Sequence, residues 1–306
     1  MLFTTTGLVQ DSFYISGLST YPVHLLDVPS NPVLFDGGII CAGKIYVDSI
    51  RSVLGDRQPN MLFISHLHWD HCGAVSYLKD AFPSLKIAAS NQAAEILKRE
   101  NALALIKKLN EEARTYVINL PEVDPSRLIN ESFRPFKVDI ILEDGQTIEL
   151  GQGATIEVLA TPGHTRDHLS YYLPKEKILI AAESSGCLVG SGNIITEFLS
   201  DYEAYMSSLQ RLAALPIEIL CQGHRFVFVG RKEVRAFLER SISEAICFKD
   251  RVYGLLDEEG GSIDRVIQKI KAELYDTIKG PKQPEVPYLL NVTAQVKHLA
   301  LKKEPE

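Results

Sequence analysis

Apolar residues come in short unbroken runs through the first three quarters of the chain and at helical intervals after that. The run "NPVLFDGGII" ends in Asp36-Gly37-Gly38, which predicts a strand entering a tight turn. "NMLFIS", Asn60 to Ser65, is apolar at nearly every position, as expected of a strand covered on both faces. "GAVSYLKDAF" then has helical spacing, and "LKIAAS" reads as the next strand. This β–motif–α–β order places whatever follows "NMLFIS" where α/β folds gather their ligands. Residues 91–116 are rich in Ala, Leu, Glu and Lys and lack Gly and Pro, so they predict one or two helices inserted between strands. Strands return at "KVDIIL", "QTIEL", "TIEVLA", "HLSYYL", "KILIAA" and "IEILC".

Beyond Gly230 the period changes. "RKEVRAFLERSISEAICFKDRVYGLL" is amphipathic, and Ile263, Val266, Ile267, Ile270 and Leu274 recur at helical spacing behind a Ser262 cap. The linker "GPKQPEVP" leads to a last helix around "YLLNVTAQVKHLAL". The expected organisation is a strand-rich α/β body over residues 1–230 and a helical unit over 231–306 whose apolar stripes are core.

The 306 residues, 45% of them hydrophobic, suit one large domain or a core domain with an appended piece. The five cysteines (Cys41, Cys72, Cys187, Cys221 and Cys247) are odd in number and form no C-x-x-C pair, which reads as reduced thiols of a cytoplasmic protein. No signal peptide is expected from "MLFTTTGLVQDSFYISG", and no apolar run approaches the ~18–20 residues of a membrane span. The net charge of −7 argues against a nucleic-acid partner. A homo-oligomer is compatible with this composition.

One stretch changes the picture. "HLHWDH" puts His66, His68, Asp70 and His71 within six residues. With a side-chain period of two on a strand, His66 and His68 point the same way, while Asp70 and His71 fall where the chain turns into a helix. A helical H-E-x-x-H pair serves one metal, whereas this spacing suits two adjacent ones. Further ligands could come from three turns after predicted strands: His164 in "TPGHT", Glu183 in "AAESSG" and His224 in "QGHRF". His168 in "TRDH" reads as a packing or orienting group, His24 and His298 as ordinary histidines, and Trp69 as a neighbour packed beside the site.

In order and spacing, "HLHWDH", "TPGHT" and the later "GH" resemble the metallo-β-lactamase superfamily over roughly residues 1–230. The resemblance implies an αββα sandwich of two mixed sheets, with helices outside and a dinuclear site at one edge. It implies that His66, His68 and His164 hold one metal, that Asp70, His71 and His224 hold the other, and that Glu183 bridges them. Asp36 in "LFDGG" would steady the ligands from behind. One position departs from the pattern: the bridging residue, usually the Asp of a Gly-Asp pair, is here the Glu of Ala182-Glu183, longer by one methylene. "HWDHCGAVSYL", the helical insertion and the helical C-terminal unit are similar to the branch containing the quinolone-signal response protein of bacterial quorum sensing. Thioesterase-like and hydroxyacylglutathione hydrolase-like members share the plan, and in such proteins C-terminal helices cap the metals.

The resemblance implies a metal-dependent hydrolase that uses a metal-bound hydroxide on a small ester or thioester. Its cofactors would be two divalent ions, zinc first, with iron or manganese accepted by the same donors. Asp70 is the expected catalytic residue, orienting the nucleophile and serving the leaving group. A sulfur-dioxygenase-like mononuclear-iron oxygenase and a regulatory protein with a largely structural metal site are the alternatives.

Overall fold

The computed structural model describes residues 1–279 and 282–303; Gly280 and Pro281 of the predicted linker and residues 304–306 lie outside the described residues. The short apolar runs build two seven-stranded sheets. The first runs, in spatial order, Gly7–Gln10, Phe13–Gly17, Pro22–Leu26, Val33–Phe35, Met61–Phe63, Lys86–Ser90 and Ile140–Leu142. Its pairs are antiparallel up to Val33–Phe35 and parallel from there on. The second runs Leu2–Phe3, Val227–Val229, Ile219–Gln222, Ile178–Ala182, Leu169–Leu173, Ala154–Ala160 and Thr147–Gly151, with one parallel pair, Ile178–Ala182 against Ile219–Gln222. The opening strand pairs Leu2 with Phe228 and Phe3 with Val227, although the strand that follows it belongs to the other sheet.

The sheets pack face to face over buried side chains such as Phe13, Phe35, Phe63, Ile156, Val158 and Ile219. Phe35, Phe63 and Tyr171 form an aromatic knot with ring centroids 5.3–5.6 Å apart. The Tyr171 hydroxyl donates to the Ile64 carbonyl at 2.6 Å, so the second sheet anchors the end of the strand that feeds the histidine motif.

Helices cover both outer faces, which makes the four-layer αββα sandwich. Gly43–Leu54, Val75–Ala81 and Glu100–Val117 bury Tyr46, Ile50, Leu78, Ala113 and Val117 against the first sheet. Tyr202–Ala213, Arg231–Glu258, Ile263–Ile270 and Glu285–Lys302 cover the second. The insertion is two helices, Asn91–Ile96 and Glu100–Val117. Asn110, buried midway along the longer one, donates to the Trp69 carbonyl at 2.9 Å and accepts from the Ile40 amide at 3.0 Å. The insertion is thereby fastened to the motif helix.

Three local expectations need correction. The strand expected to carry His66 and His68 ends at Phe63, so both histidines lie on the irregular extended segment after it. Ser262 stands at the start of helix Ile263–Ile270, but its side chain makes no capping hydrogen bond. Leu274 is exposed rather than core. The last turn, Lys271–Tyr275, is a π-helical turn, whose wider period puts Tyr275 on the buried face with Ile270 and rotates Leu274 away.

Candidate metal centre

All of the metal-ligating candidates meet at one edge of the sandwich. Three potential ligand atoms, one each from His66, His68 and His164, lie within 4.8 Å of one another, and so do those of Asp70, His71 and His224. The rings of the first group have centroids 4.5–4.9 Å apart, and His68 Nδ1 faces His164 Nε2 at 3.0 Å. Asp70 and His71 ride on a short helical turn, Trp69–Cys72. His224 comes from the loop after strand Ile219–Gln222.

Glu183 reaches between the two groups. Its Oε1 lies 3.2 Å from His71 Nε2 and 3.1 Å from His224 Nε2, and its Oε2 lies 3.6 Å from His66 Nε2. The turn that presents it is strained: Ala182 has φ 45°, a left-handed conformation that an L-residue with a Cβ adopts at a cost. The room for the extra methylene comes from Gly223. A Cβ on that residue would stand 1.8 Å from Glu183 Oε1, so the glycine preceding His224 is what lets a glutamate sit where a shorter acid would need no such space.

The outward nitrogen of nearly every ring is held. His71 Nδ1 meets Asp36 Oδ2 at 2.9 Å, His164 Nδ1 donates to the Glu197 carbonyl at 2.6 Å, and His224 Nδ1 donates to the Thr20 carbonyl at 2.9 Å. Ser65 donates its hydroxyl to Asp36 and so accepts from His66 Nδ1 at 3.0 Å. This fixes the proton on Nδ1 and leaves His66 Nε2 as a lone pair. That lone pair and Glu183 Oε2 are both buried without a hydrogen-bond partner, and they face each other. Two buried electron-pair donors in that arrangement are satisfied by a cation, so the donor set fits divalent metal.

Charge divides the cluster. Burial holds His66, His68 and His164 below the ordinary imidazole value, which keeps these rings neutral and ready to coordinate. Burial also works against charge on His71 and His224, but the carboxylates of Glu183 and Asp36 outweigh it at His71, and those of Glu183 and Asp70 at His224. Both are raised, His71 strongly. Burial would raise Glu183, yet the surrounding imidazoles, His71 foremost, hold it well below the usual carboxylate range.

The centre floors a cleft of about 460 Å³. Tyr21, Trp69, Leu109 and Tyr116 form one wall, and Pro287 and Asn291 of the last helix form the other. Trp69 thus packs beside the site, edge-on to Tyr116 at 6.3 Å.

The remaining histidines behave as ordinary groups. His168 stacks on His66 at 4.9 Å with its Nδ1 on Thr161 Oγ1, His24 stacks on Phe13, and His298 Nε2 accepts from the Tyr202 amide. The cysteines are all free, and only Cys247 is exposed.

Sequence reasoning missed Ser65, Asp167 and Glu197. Buried Asp167 accepts from the Leu67 amide at 2.9 Å and so pins the middle of the motif. Its only signal was an acid beside a histidine in "TRDH". Half-buried Glu197 lines the cleft; burial pushes its carboxyl up to about 7 against the opposing pull of an Asn291 hydrogen bond. It had no signal at all.

The family model described as the metallo-beta-lactamase superfamily matches residues 23–224 of this chain. A hydroxyacylglutathione hydrolase of Ruegeria pomeroyi is 28% identical over 180 residues, covering 58% of this chain. A thioesterase of Emericella nidulans, pkgB, is 29% identical over 252 residues, covering 82% of this chain. The chain spans little more than half the length of these two relatives, 53% and 57%. Among solved structures, an archaeal metallo-beta-lactamase superfamily protein from Sulfolobus tokodaii superposes with a TM-score of 0.56 at 18% identity, covering 98% of this chain and 97% of that one.

Proposed function

Because the chain belongs to the metallo-β-lactamase superfamily, we propose that it is a metal-dependent hydrolase of small esters or thioesters. The observation that carries this reading is Glu183, a buried carboxylate lying between a three-histidine group and an Asp70–His71–His224 group on the floor of a cleft. His66, His68 and His164 would hold one divalent ion, Asp70, His71 and His224 a second, and Glu183 would reach both. Zinc is the first choice for so many imidazoles, and the same nitrogen and oxygen donors admit iron or manganese. When bound, such ions acidify a water and polarise a carbonyl. The relatives named above, a hydroxyacylglutathione hydrolase and a thioesterase, support the same class of bond.

The chain's own residues supply the rest. Asp36 and the Glu197 carbonyl fix ring orientation, so the ligand nitrogens need no reorganisation on binding. Asp70 borders the cleft with Oδ2 at 3.4 Å from His224 Nε2; it orients the attacking water, takes its proton at that carboxylate and returns it to the departing thiolate or alkoxide. Tyr21, Trp69 and Tyr116 keep solvent from the carbonyl. In this reading residues 1–230 are the metal-binding domain and the helices of 231–306 are its cap.

Elemental analysis together with hydrolysis of a generic thioester, followed by trapping of the released thiol, tests the reading. His68→Ala and Asp70→Ala should stay folded and lose turnover. Activity persisting in folded, metal-free protein would overturn the mechanism. Oxygen consumption with a thiol or persulfide substrate, without hydrolysis, would place the chain with an iron oxygenase instead.

A further inference from the structure

We propose that the metal cleft continues into a second chamber that accepts the far end of a long acyl chain, which makes the preferred substrate of the proposed hydrolase a medium- to long-chain acyl thioester rather than a short hydroxyacyl one. The proposal rests on the hydrolase reading above.

A cavity of about 400 Å³ lies between helix Arg231–Glu258, the last helix and the hairpin of Cys187–Leu188 and Ile194–Ile195. Val189, Ile195, Glu197, Lys282, Gln283 and Asn291 line both this cavity and the metal cleft, so the two lie on opposite sides of a single layer of side chains. Within that layer Asn291 Nδ2 donates to Glu197 Oε1 at 2.8 Å, and among the described residues Gln283 Oε1 is buried without a hydrogen-bond partner. Lys282 is drawn aside, its ammonium 3.9 Å from the centroid of the Tyr275 ring and donating to the Tyr275 carbonyl.

Past the layer the walls turn apolar, with Ile194, Phe248, Ile278, Tyr288 and Val292. The far end reaches the surface beside Cys247 and the Arg251–Glu273 ion pair. The metal cleft alone already has the volume that encloses an ordinary small ligand. A compact hydroxyacyl group would leave the second chamber unused. A chain of about ten methylenes would gain burial for every carbon that entered it. The π-helical turn at Lys271–Tyr275 contributes to this: it places buried Tyr275 on the chamber wall.

The test is calorimetric binding to the purified, metal-loaded full chain of S-butyl and S-dodecyl N-acetylcysteamine, thioethers with no thioester bond to hydrolyse. The dodecyl ligand should bind at least about tenfold more tightly. Cys247 is the only exposed cysteine, so benzyl methanethiosulfonate should modify it selectively and plug the chamber. That modification should erase most of the chain-length ratio, and a reductant should restore it. Ile278→Trp, at a half-buried wall position, should lower the same ratio without chemical modification. Equal affinities, or a ratio unmoved by both the plug and the tryptophan, would overturn the chamber. Because binding is read separately from turnover, chain discrimination without hydrolysis would strike the hydrolase reading alone, and hydrolysis without discrimination would strike the chamber alone.

Discussion

The His66–His68–His164 group and the Asp70–His71–His224 group share one carboxylate and a common floor, yet they are built on opposite electrostatic principles. In the first, burial strips charge from the rings, and the lone pairs wait unprotonated. In the second, acids surround the rings and favour their protonated forms. The first half is therefore preorganised for a cation, whereas the second must exchange protons for one. The two halves should load with different pH dependence and respond differently to the same kind of mutation.

The largest expected effect comes from removing the shared charge. Glu183→Gln keeps the shape but takes away the anionic oxygen that lies 3.2 Å from His71 and 3.1 Å from His224, so the Asp70 half should lose its ion while the three-histidine half keeps its own. Thioester turnover should fall by about 10³-fold. Elemental analysis beside a rate measurement checks both statements, and equal loss of metal from both halves would break the comparison.

Next comes Asp36→Asn, which acts on the charged half through His71 Nδ1. Metal affinity of that half should weaken by about 10–100-fold, read by competition with a chelator. Asp36 also holds Ser65 behind His66, so a smaller loss in the neutral half would sharpen the picture.

The pH dependence follows directly. His71 and His224 are raised above 6.5, so in metal-free protein they keep protons that a cation must displace. Apparent affinity of the Asp70 half should go on rising as pH climbs past 6.5, with proton release visible as a buffer-dependent heat of binding. The three-histidine half, held below 6.5, should be nearly flat over the same range. Parallel curves would remove the distinction.

The smallest effect is expected at Ala182→Gly. Relief of a left-handed φ of 45° should raise stability by about 1 kcal/mol in denaturant unfolding, with metal content unchanged. A loss of metal on this change would mean that the strain itself aims Glu183.

The residues that touch the centre were legible in the sequence because they are chemically unusual and stand at strand ends that apolar runs mark out. The supports behind them were not. Asp167 and Ser65 are common polar residues whose importance lies in which amide or ring they meet across the sandwich, and pairing at long sequence separation leaves no local pattern. Periodicity also failed where the backbone changed its own period. Ile270 and Tyr275, five positions apart, share a face only because the turn between them is π-helical, whereas a 3.6-residue count puts Leu274 in the core. The fate of Ser262 was hidden for the opposite reason: residue type marks a cap position, but only geometry decides whether the hydroxyl bonds. The layers of the fold needed no such detail, since runs of strand and stripes of helix have few ways to bury one another.

The first strand, Leu2–Phe3, is too short to add much to the core, and its worth lies in what it covers. It occupies the open hydrogen-bonding side of Val227–Val229, a Val-Phe-Val segment that would otherwise offer its free amides and carbonyls to any passing extended chain. Leu2–Phe3 thus acts as a cover for the strand that directly follows the His224 loop, taking up backbone groups that the sheet would otherwise leave to solvent.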